Sequence, residues 1–377
     1  MTNYIILRYG LSTGTCAAAA AKAAALAAQG TIVDRIVVPT PIGLRVEVPV
    51  KHAKRLKDQV GEACVVKDSG DDRENDVTHG LHIVARVELK AGRNIEVRGG
   101  RGVGVVTQPG LPIPPGEYAI NPVPRRQIEN AVKEVLPEAL GAIIEISIPG
   151  GDKISSKTLN PELGIVEGLS ILGTTGFVEP YSCRAFIQTI ALQLNLLLNL
   201  KVHFPIVTSG RTTKRWLVEN CRIPANRIIE AGDYIVKALE VAHSMGFKKA
   251  VLVSKPAKIL KLSVGAVNTN SAFVDARLEA LVFHALKAGV GFKELSELAN
   301  ARSVAQGLLL LKKGQLEKVL KHVALEAERK IQRRFHGMKL AAAVLYRNTL
   351  YGTPNFSEIF NEALQDASKS CHSRTWT

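Results

Sequence analysis

The groups able to do chemistry fall in three glycine-punctuated stretches of the first half of the chain. The first, Ser12-Thr13-Gly14-Thr15-Cys16, runs straight into an alanine-rich segment ending at Gly30. Hydroxyls and a flexible glycine ahead of the strongest helix former describe a capped helix start. Such a start offers unpaired N–H groups and a positive dipole end, where an anionic ligand group can sit. A close-packed structural helix is the alternative reading. The second stretch is the acidic loop Asp68-Ser69-Gly70-Asp71-Asp72-Arg73-Glu74-Asn75-Asp76, closed by Val77-Thr78-His79-Gly80. Its carboxylates suit a hard cation, the hydroxyls or cationic centre of an organic ligand, or plain solvation. The spacing does not match a twelve-residue calcium loop, and a strand would turn His79 and His82 to opposite faces, so no metal site is expected. The third, Arg98-Gly99-Gly100-Arg101-Gly102-Val103-Gly104, sets two arginines around glycines that permit close backbone approach. It reads as an anion cradle or a structural turn. The glycine spacing is wrong for a dinucleotide fingerprint.

The elements that must position these groups are legible from periodicity. Residues 32–50 alternate around a Pro-Ile-Gly turn and read as a hairpin. Strands are expected over Val60–Lys67, Leu81–Leu89 and Ala142–Ile148, with a helix over Gln127–Val135. Beyond Pro149-Gly150-Gly151 the pattern alternates strand and helix. Strands are expected at Ile165–Leu172, Pro205–Thr208, Arg227–Glu230 and Lys249–Ser254. Helices are expected at Ser182–Leu200, Thr212–Asn220 and Tyr234–Met245. That rhythm implies a parallel sheet covered by helices, with ligands at the carboxyl ends of its strands. Gly173-Thr174-Thr175-Gly176, Ser209-Gly210-Arg211 and Ser254-Lys255 fall at such ends. From Lys258 the chain reads as mostly helical: a helix over Ala272–Leu286, a bundle from Glu294 to Arg347, and fraying over 354–377. The fold class is therefore α/β. An α+β domain over 1–155, a two-layer sandwich, precedes a Rossmann-like parallel-sheet domain with C-terminal helices over 156–377.

Composition narrows the function classes. A 46% hydrophobic fraction describes a globular chain with a full core. The longest apolar run, Ile190–Leu200, is broken by Gln193, Asn195 and Asn199, so no membrane span is expected. Lys22 interrupts the alanine run, which argues against a signal peptide. Five scattered cysteines without a C-x-x-C pair suggest free thiols in a reducing cytoplasm and no zinc site. A net charge of +15 attracts polyanions, either nucleic acid or a small molecule with many carboxylates. Aromatics do not interleave with the basic run Lys312–Lys339, which argues against base stacking.

Taken in order, several stretches resemble one family, the S-adenosylmethionine-dependent cobalt-precorrin-5B C1-methyltransferases of anaerobic cobalamin biosynthesis. They are Ser12–Cys16 with its alanine run, Asp71-Asp72 through Gly80, Arg98–Gly104 with Gly110-Leu111-Pro112, and Asn121–Arg125. Ile148–Gly151, Asn160-Pro161 with Leu163-Gly164-Ile165, and Ile171–Gly176 through Glu179-Pro180 complete the set. The resemblance is weaker in the second half. There Ser209–Thr212, Ser254–Lys258 and Asn268–Ser271 stand where the family carries Gly-Asn-x-Gly, Gly-His-x-Gly-Lys and Asn-Thr-His-Ser.

The resemblance implies methyl transfer to ring carbon C1 of a cobalt-bearing tetrapyrrole, with S-adenosylmethionine as donor. Donor and acceptor are already activated, so the protein has mainly to align them. On this reading Thr13, Gly14, Thr15, Cys16, Arg98 and Arg101 meet the tetrapyrrole carboxylates. Gly173, Thr174, Thr175, Gly176 and Glu179 serve the donor, and Asp72, Thr78 and His79 lie near the reacting centre. The expected partner is a small tetrapyrrole, not nucleic acid or membrane, and a homo-oligomer is compatible with the reading. A tetrapyrrole-binding relative without methyl transfer and a basic nucleic-acid-binding protein are the rival readings.

Overall fold

A computed structural model describes residues 7–180 and 182–369. The chain forms two compact units, divided after Cys183. The first begins with β1 (Gly10–Leu11), α1 (Thr13–Ala28) and the antiparallel hairpin β2 (Arg35–Pro39) and β3 (Arg45–Pro49). Then come β4 (His52–Lys57), β5 (Val60–Val66), β6 (His82–Ala91), β7 (Ile95–Gly99) and β8 (Val105–Val106). The remainder is α2 (Pro122–Lys133), β9 (Leu140–Ser147), the single turn α3 (Gly151–Ile154), β10 (Ile165–Val166) and β11 (Phe177–Val178). Its main sheet has the order β4-β5-β6-β9-β7, antiparallel except for β7 beside β9.

α1 runs through the middle of this unit. It packs on β5, β6 and α2, and every residue of it except Leu26 is buried. A helix wrapped on all sides must carry small side chains, or the neighbouring backbones cannot close on it. Alanine supplies that. The sheet answers with Gly61, where an added Cβ would lie 2.1 Å from the Ala24 carbonyl oxygen and 2.5 Å from the Ala28 nitrogen. The one charge in the helix, Lys22, bonds the Val37 carbonyl at 2.7 Å and Glu134 at 2.6 Å. Arg45 forks onto the same carboxylate at 2.7 Å through each nitrogen. The Arg45 bonds, with those from Lys22, hold Glu134 down at about 2 despite its partial burial.

The second unit contains α4 (Cys183–Asn199), β12 (Ile206–Thr208), α5 (Arg211–Cys221), β13 (Ile228–Glu230), α6 (Ile235–Ser244), β14 (Lys249–Ser254) and α7 (Pro256–Ser263). The helices α8 (Arg277–Lys287), α9 (Phe292–Ala299), α10 (Val304–Leu310) and α11 (Lys313–Gln332) follow. It closes with β15 (Lys339–Tyr346), β16 (Thr349–Gly352) and α12 (Phe356–Lys369). The sheet order is β13-β12-β14-β15-β16, parallel except for the edge strand β16. This is the doubly wound order in which the connections reverse direction between β12 and β14.

The α/β class and most expected elements are present. Several expectations need correction. Ile165–Leu172 is not a strand of the parallel sheet: Ile165–Val166 pairs antiparallel with β8 in the first unit, and Leu169 and Ile171 make single bridges to Val103 and Ile120. Residues 156–180 therefore belong to that unit, and the boundary falls after 183 instead of 155. Residues 339–346, expected in a helical bundle, form β15, because their apolar run is buried on both faces of the sheet. Much of the stretch expected to fray is α12, whose Phe356, Ile359, Phe360 and Ala363 are buried; residues 370–377 lie outside the described residues. The helix expected from Ala272 starts at Arg277.

Gly61→Val is expected to destabilise the first unit by about 3 kcal/mol, because the side chain must displace helix backbone. Denaturant unfolding checks this, and an unchanged midpoint contradicts the close approach of α1 to β5.

Candidate functional site

Two of the resembling stretches of the first unit, residues 12–16 and 171–176, meet at the start of α1. Ser12 caps the helix, its Oγ accepting from the Thr15 N–H at 3.1 Å. The Gly14 N–H donates to the Leu172 carbonyl at 3.0 Å and the Ser12 N–H to the Gly176 carbonyl at 3.1 Å. Thr15 Oγ1 donates to the Gly176 carbonyl at 2.7 Å, and Gln127 Nε2 to Thr15 Oγ1 at 3.0 Å. Thr13 Oγ1 lies 3.2 Å from the Ser170 and Leu172 carbonyls and accepts from the Leu172 N–H at 2.9 Å. Thr13, Gly14, Thr15 and Cys16 are all buried. Burial drives the Cys16 thiol up to about 12, so it stays protonated and inert.

The expected anion cradle is thus a lock: its donors already serve the segment 170–176. Gly173 and Gly176 do not spare room for a ligand either. A Cβ at Gly173 would lie 2.3 Å from Ser12 Oγ, and one at Gly176 would lie 2.9 Å from Thr15 Oγ1. Their glycine character is explained by contact with the helix start. Thr174 is exposed, and Thr175 Oγ1 accepts from the Phe177 N–H at 3.2 Å. Glu179 lies beside them at the surface, taking bonds from Tyr9 at 3.4 Å and Ser182 at 2.9 Å.

The acidic loop is joined to the same junction through β1. The Leu11 N–H donates to the Asp68 carbonyl, and Arg8 pairs with Asp68. Its organiser is Lys67, a residue that sequence reasoning did not single out. The Lys67 side chain is 2% exposed and its ammonium binds Ser69 at 2.8 Å and Asp76. The other Asp76 oxygen takes the Thr78 N–H and hydroxyl. Burial pushes the Asp76 carboxyl up, but the Lys67 charge and the bonds from Lys67 and Thr78 outweigh it and hold the group below its ordinary value. Of the expected catalytic residues, Thr78 has its hydroxyl committed to Asp76. Asp72 accepts from Asn75 at 3.0 Å. His79 Nδ1 accepts the Ser69 N–H at 3.1 Å, so neutral His79 carries its proton on Nε2 and offers a donor there.

The arginines of the glycine loop have different fates. Arg98 forks onto Glu96 at 2.5 and 2.7 Å. Arg101 lines a pocket of about 400 Å3 that also holds Glu145, Asp152 and Glu167. One arginine against three carboxylates is a poor seat for a polyanion.

The second unit has a topological switch point between β12 and β14, the place where doubly wound sheets carry a ligand crevice. Ser209 and Ser254, just past β12 and at the end of β14, touch at 2.5 Å between hydroxyl oxygens. A Cβ on Gly210 would meet nothing within 4 Å. Thr208 Oγ1 is buried without a hydrogen-bond partner among the described residues. Glu230 ends β13, about 20 residues on from Gly210, the place from which an acid reaches ribose hydroxyls in doubly wound nucleotide sites. Asp233 follows and pairs with Lys258. Thr269 donates to Asp233 at 2.9 Å, and the buried Lys261 holds the Thr269 carbonyl and Ser271 at 2.9 Å each. The stretches 209–212, 254–258 and 268–271 therefore converge here. Open space at a glycine, free hydroxyl capacity and a strand-end acid fit a nucleoside-bearing donor.

Among the described residues no three His, Cys, Asp or Glu side chains are disposed to hold a metal ion, and no helix is long and apolar enough to cross a membrane.

Removing the Lys67–Asp76 pair tests what holds the loop. The depressed Asp76 stabilises fully above the ordinary carboxylate range, and that stability is lost as pH falls through its lowered value. Asp76→Asn is expected to cost about 2 kcal/mol at neutral pH and to flatten the acid limb of stability. Thermal melts from neutral pH into the carboxylate range check both, and an equally steep acid limb in the variant contradicts the assignment.

Comparison with known proteins identifies the family. The CbiD family model matches residues 2–180 and the model of the CbiD C-terminal domain matches 268–350. A cobalt-precorrin-5B C(1)-methyltransferase of Pyrobaculum aerophilum is 43% identical over 80% of this chain and 86% of its own. One from Desulfitobacterium hafniense is 40% identical over 87% and 84%. The crystal structure of a cobalamin biosynthesis protein, CbiD, from Archaeoglobus fulgidus is 30% identical, covers 72% of this chain and 84% of that one, and superposes with a TM-score of 0.38. With segments of both units matched by family models, and with relatives at least 40% identical over four fifths of it or more, the chain belongs to the CbiD family.

Proposed function

We propose that this chain, acting in the cytoplasm, transfers a methyl group from S-adenosylmethionine to carbon C1 of cobalt-precorrin-5B, giving cobalt-precorrin-6A. The observation that carries this is the alignment of curated C(1)-methyltransferases over at least four fifths of the chain. The bound donor supplies a methyl activated by its sulfonium, so the protein needs no strong nucleophile. Its tasks are to bind, orient and exclude water.

The donor reading moves from Gly173–Gly176 to the crevice between β12 and β14. There Glu230 accepts from ribose hydroxyls, while Ser209, Ser254 and Thr208 orient the amino-acid end. Gly210 keeps the crevice open. Lys258, Lys261 and Thr269 act through Asp233, fixing the loop after β13. In the first unit, of the residues expected near the reacting centre, Asp72 and His79 keep capacity for an acceptor, His79 as a donor through Nε2. Thr13–Cys16 act indirectly, by holding residues 170–176 in place.

Calorimetry with S-adenosylhomocysteine tests the donor site. Gly210→Val and Glu230→Gln are each expected to weaken binding about tenfold, or about 1.4 kcal/mol. Gly176→Ala is expected to lower stability while folded protein still binds. Unchanged affinity in both crevice variants places the donor elsewhere. Incubation with both substrates, followed by mass for one added methyl, separates the enzyme from a relative that only binds.

A further inference from the structure

The expected seats for a polyanion in the first unit are occupied or acidic, yet the chain carries a net charge of +15. The second unit holds a cavity of about 980 Å3 beside the edge strand β16. One wall is cationic: Lys287 at the end of α8, with Lys318, Lys321 and His322 on α11. The facing wall is backed by Phe356 and Phe360 of α12, stacked at 4.9 Å and 17°. No aspartate or glutamate lines it. Lys321 shares its charge with Glu317 at 2.8 Å. Lys318 has no ion pair among the described residues, and Lys287 rests over the Phe283 ring at 5.7 Å.

His322 is set in one orientation by a chain of bonds behind it. The Ser263 hydroxyl gives its only proton to the Leu260 carbonyl at 2.7 Å, so it must accept from His284 Nε2, also at 2.7 Å. His284 Nδ1 is then an acceptor, and His322 Nδ1 donates to it at 2.9 Å. Burial, and then the charge of His322, push His284 down to about 4, which keeps it neutral in that tautomer. His322 Nε2 takes no part in this chain of bonds.

We propose that this cavity binds a polycarboxylate with a flat apolar body, its acid groups on Lys287, Lys318 and Lys321. Contiguous phosphates are gathered by glycine loops and helix N-termini. Here the cations are spread along two helices, which suits carboxylates dispersed around a ring. The choice of probe rests on the tetrapyrrole reading above; the site itself rests on the cavity.

The test is a fluorescence titration of the full chain with uroporphyrin III, an octacarboxylate tetrapyrrole. The expected result is saturable binding that weakens about tenfold in Lys287→Ala/Lys318→Ala, whose two exposed lysines do not support the core. Lys293→Ala/Lys313→Ala, the same charge change outside the cavity, is expected to bind like the parent. Equal loss in both double variants, or none in either, overturns the proposal. So does lysine-dependent binding in which ATP displaces the porphyrin at lower concentration than mellitate, a non-tetrapyrrole polycarboxylate. If methyl transfer occurs but cavity variants bind normally, this site fails and the function stands. If the cavity binds porphyrin and no methyl is transferred, the reverse holds.

Discussion

The start of α1 is the constraint on which the first unit depends. A helix buried on all sides has no water to satisfy its first N–H groups, so the chain must supply acceptors itself. Ser12 supplies one from within, and the carbonyl of Leu172 supplies another from a segment far along the sequence. Threonine hydroxyls add bonds to the same segment. The segment 170–176 therefore cannot leave for the second unit, and the acidic loop is drawn in through β1. The same hydroxyls and N–H groups that the sequence offers to a ligand close a buried helix end.

Charge follows the same rule. Lys22 and Lys67 are buried lysines, and each is matched by a carboxylate and by oxygen acceptors. Breaking such a pair leaves an uncompensated charge in a poor solvent, which is why these contacts fix geometry more than they add stability. The chain's excess of positive charge lies elsewhere, on exposed helix faces and around the cavity beside β16.

The sequence made the elements legible wherever period and length agreed. Lys249–Ser254 is a strand as expected, and the hairpin around Pro41-Ile42-Gly43 has its strands in the expected places. Errors came where a local pattern had two physical causes. Residues 339–346 are apolar and alanine-rich, which fits a buried helix as well as a central strand; only the open edge beside β14 decides it. Ile165–Leu172 has strand composition, but most of it runs as extended chain against the first unit. In the candidate site, hydroxyls and glycines of the sequence fall where the helix start meets residues 170–176. A cap that binds a ligand and a cap that binds another loop have the same residues. Lys67 and the His284–His322 pair left no signal, since a lone lysine or histidine in an apolar run shows its partner only in three dimensions.

Native-state hydrogen exchange at the amides of Gly14, Thr15 and Cys16 tests the central claim most directly. If the helix start is sealed by the chain itself, these amides exchange only through the largest openings of the first unit, as slowly as those of β6 and β9. Rapid exchange there, in the absence of any ligand, would show that the helix end is open and that the lock does not exist.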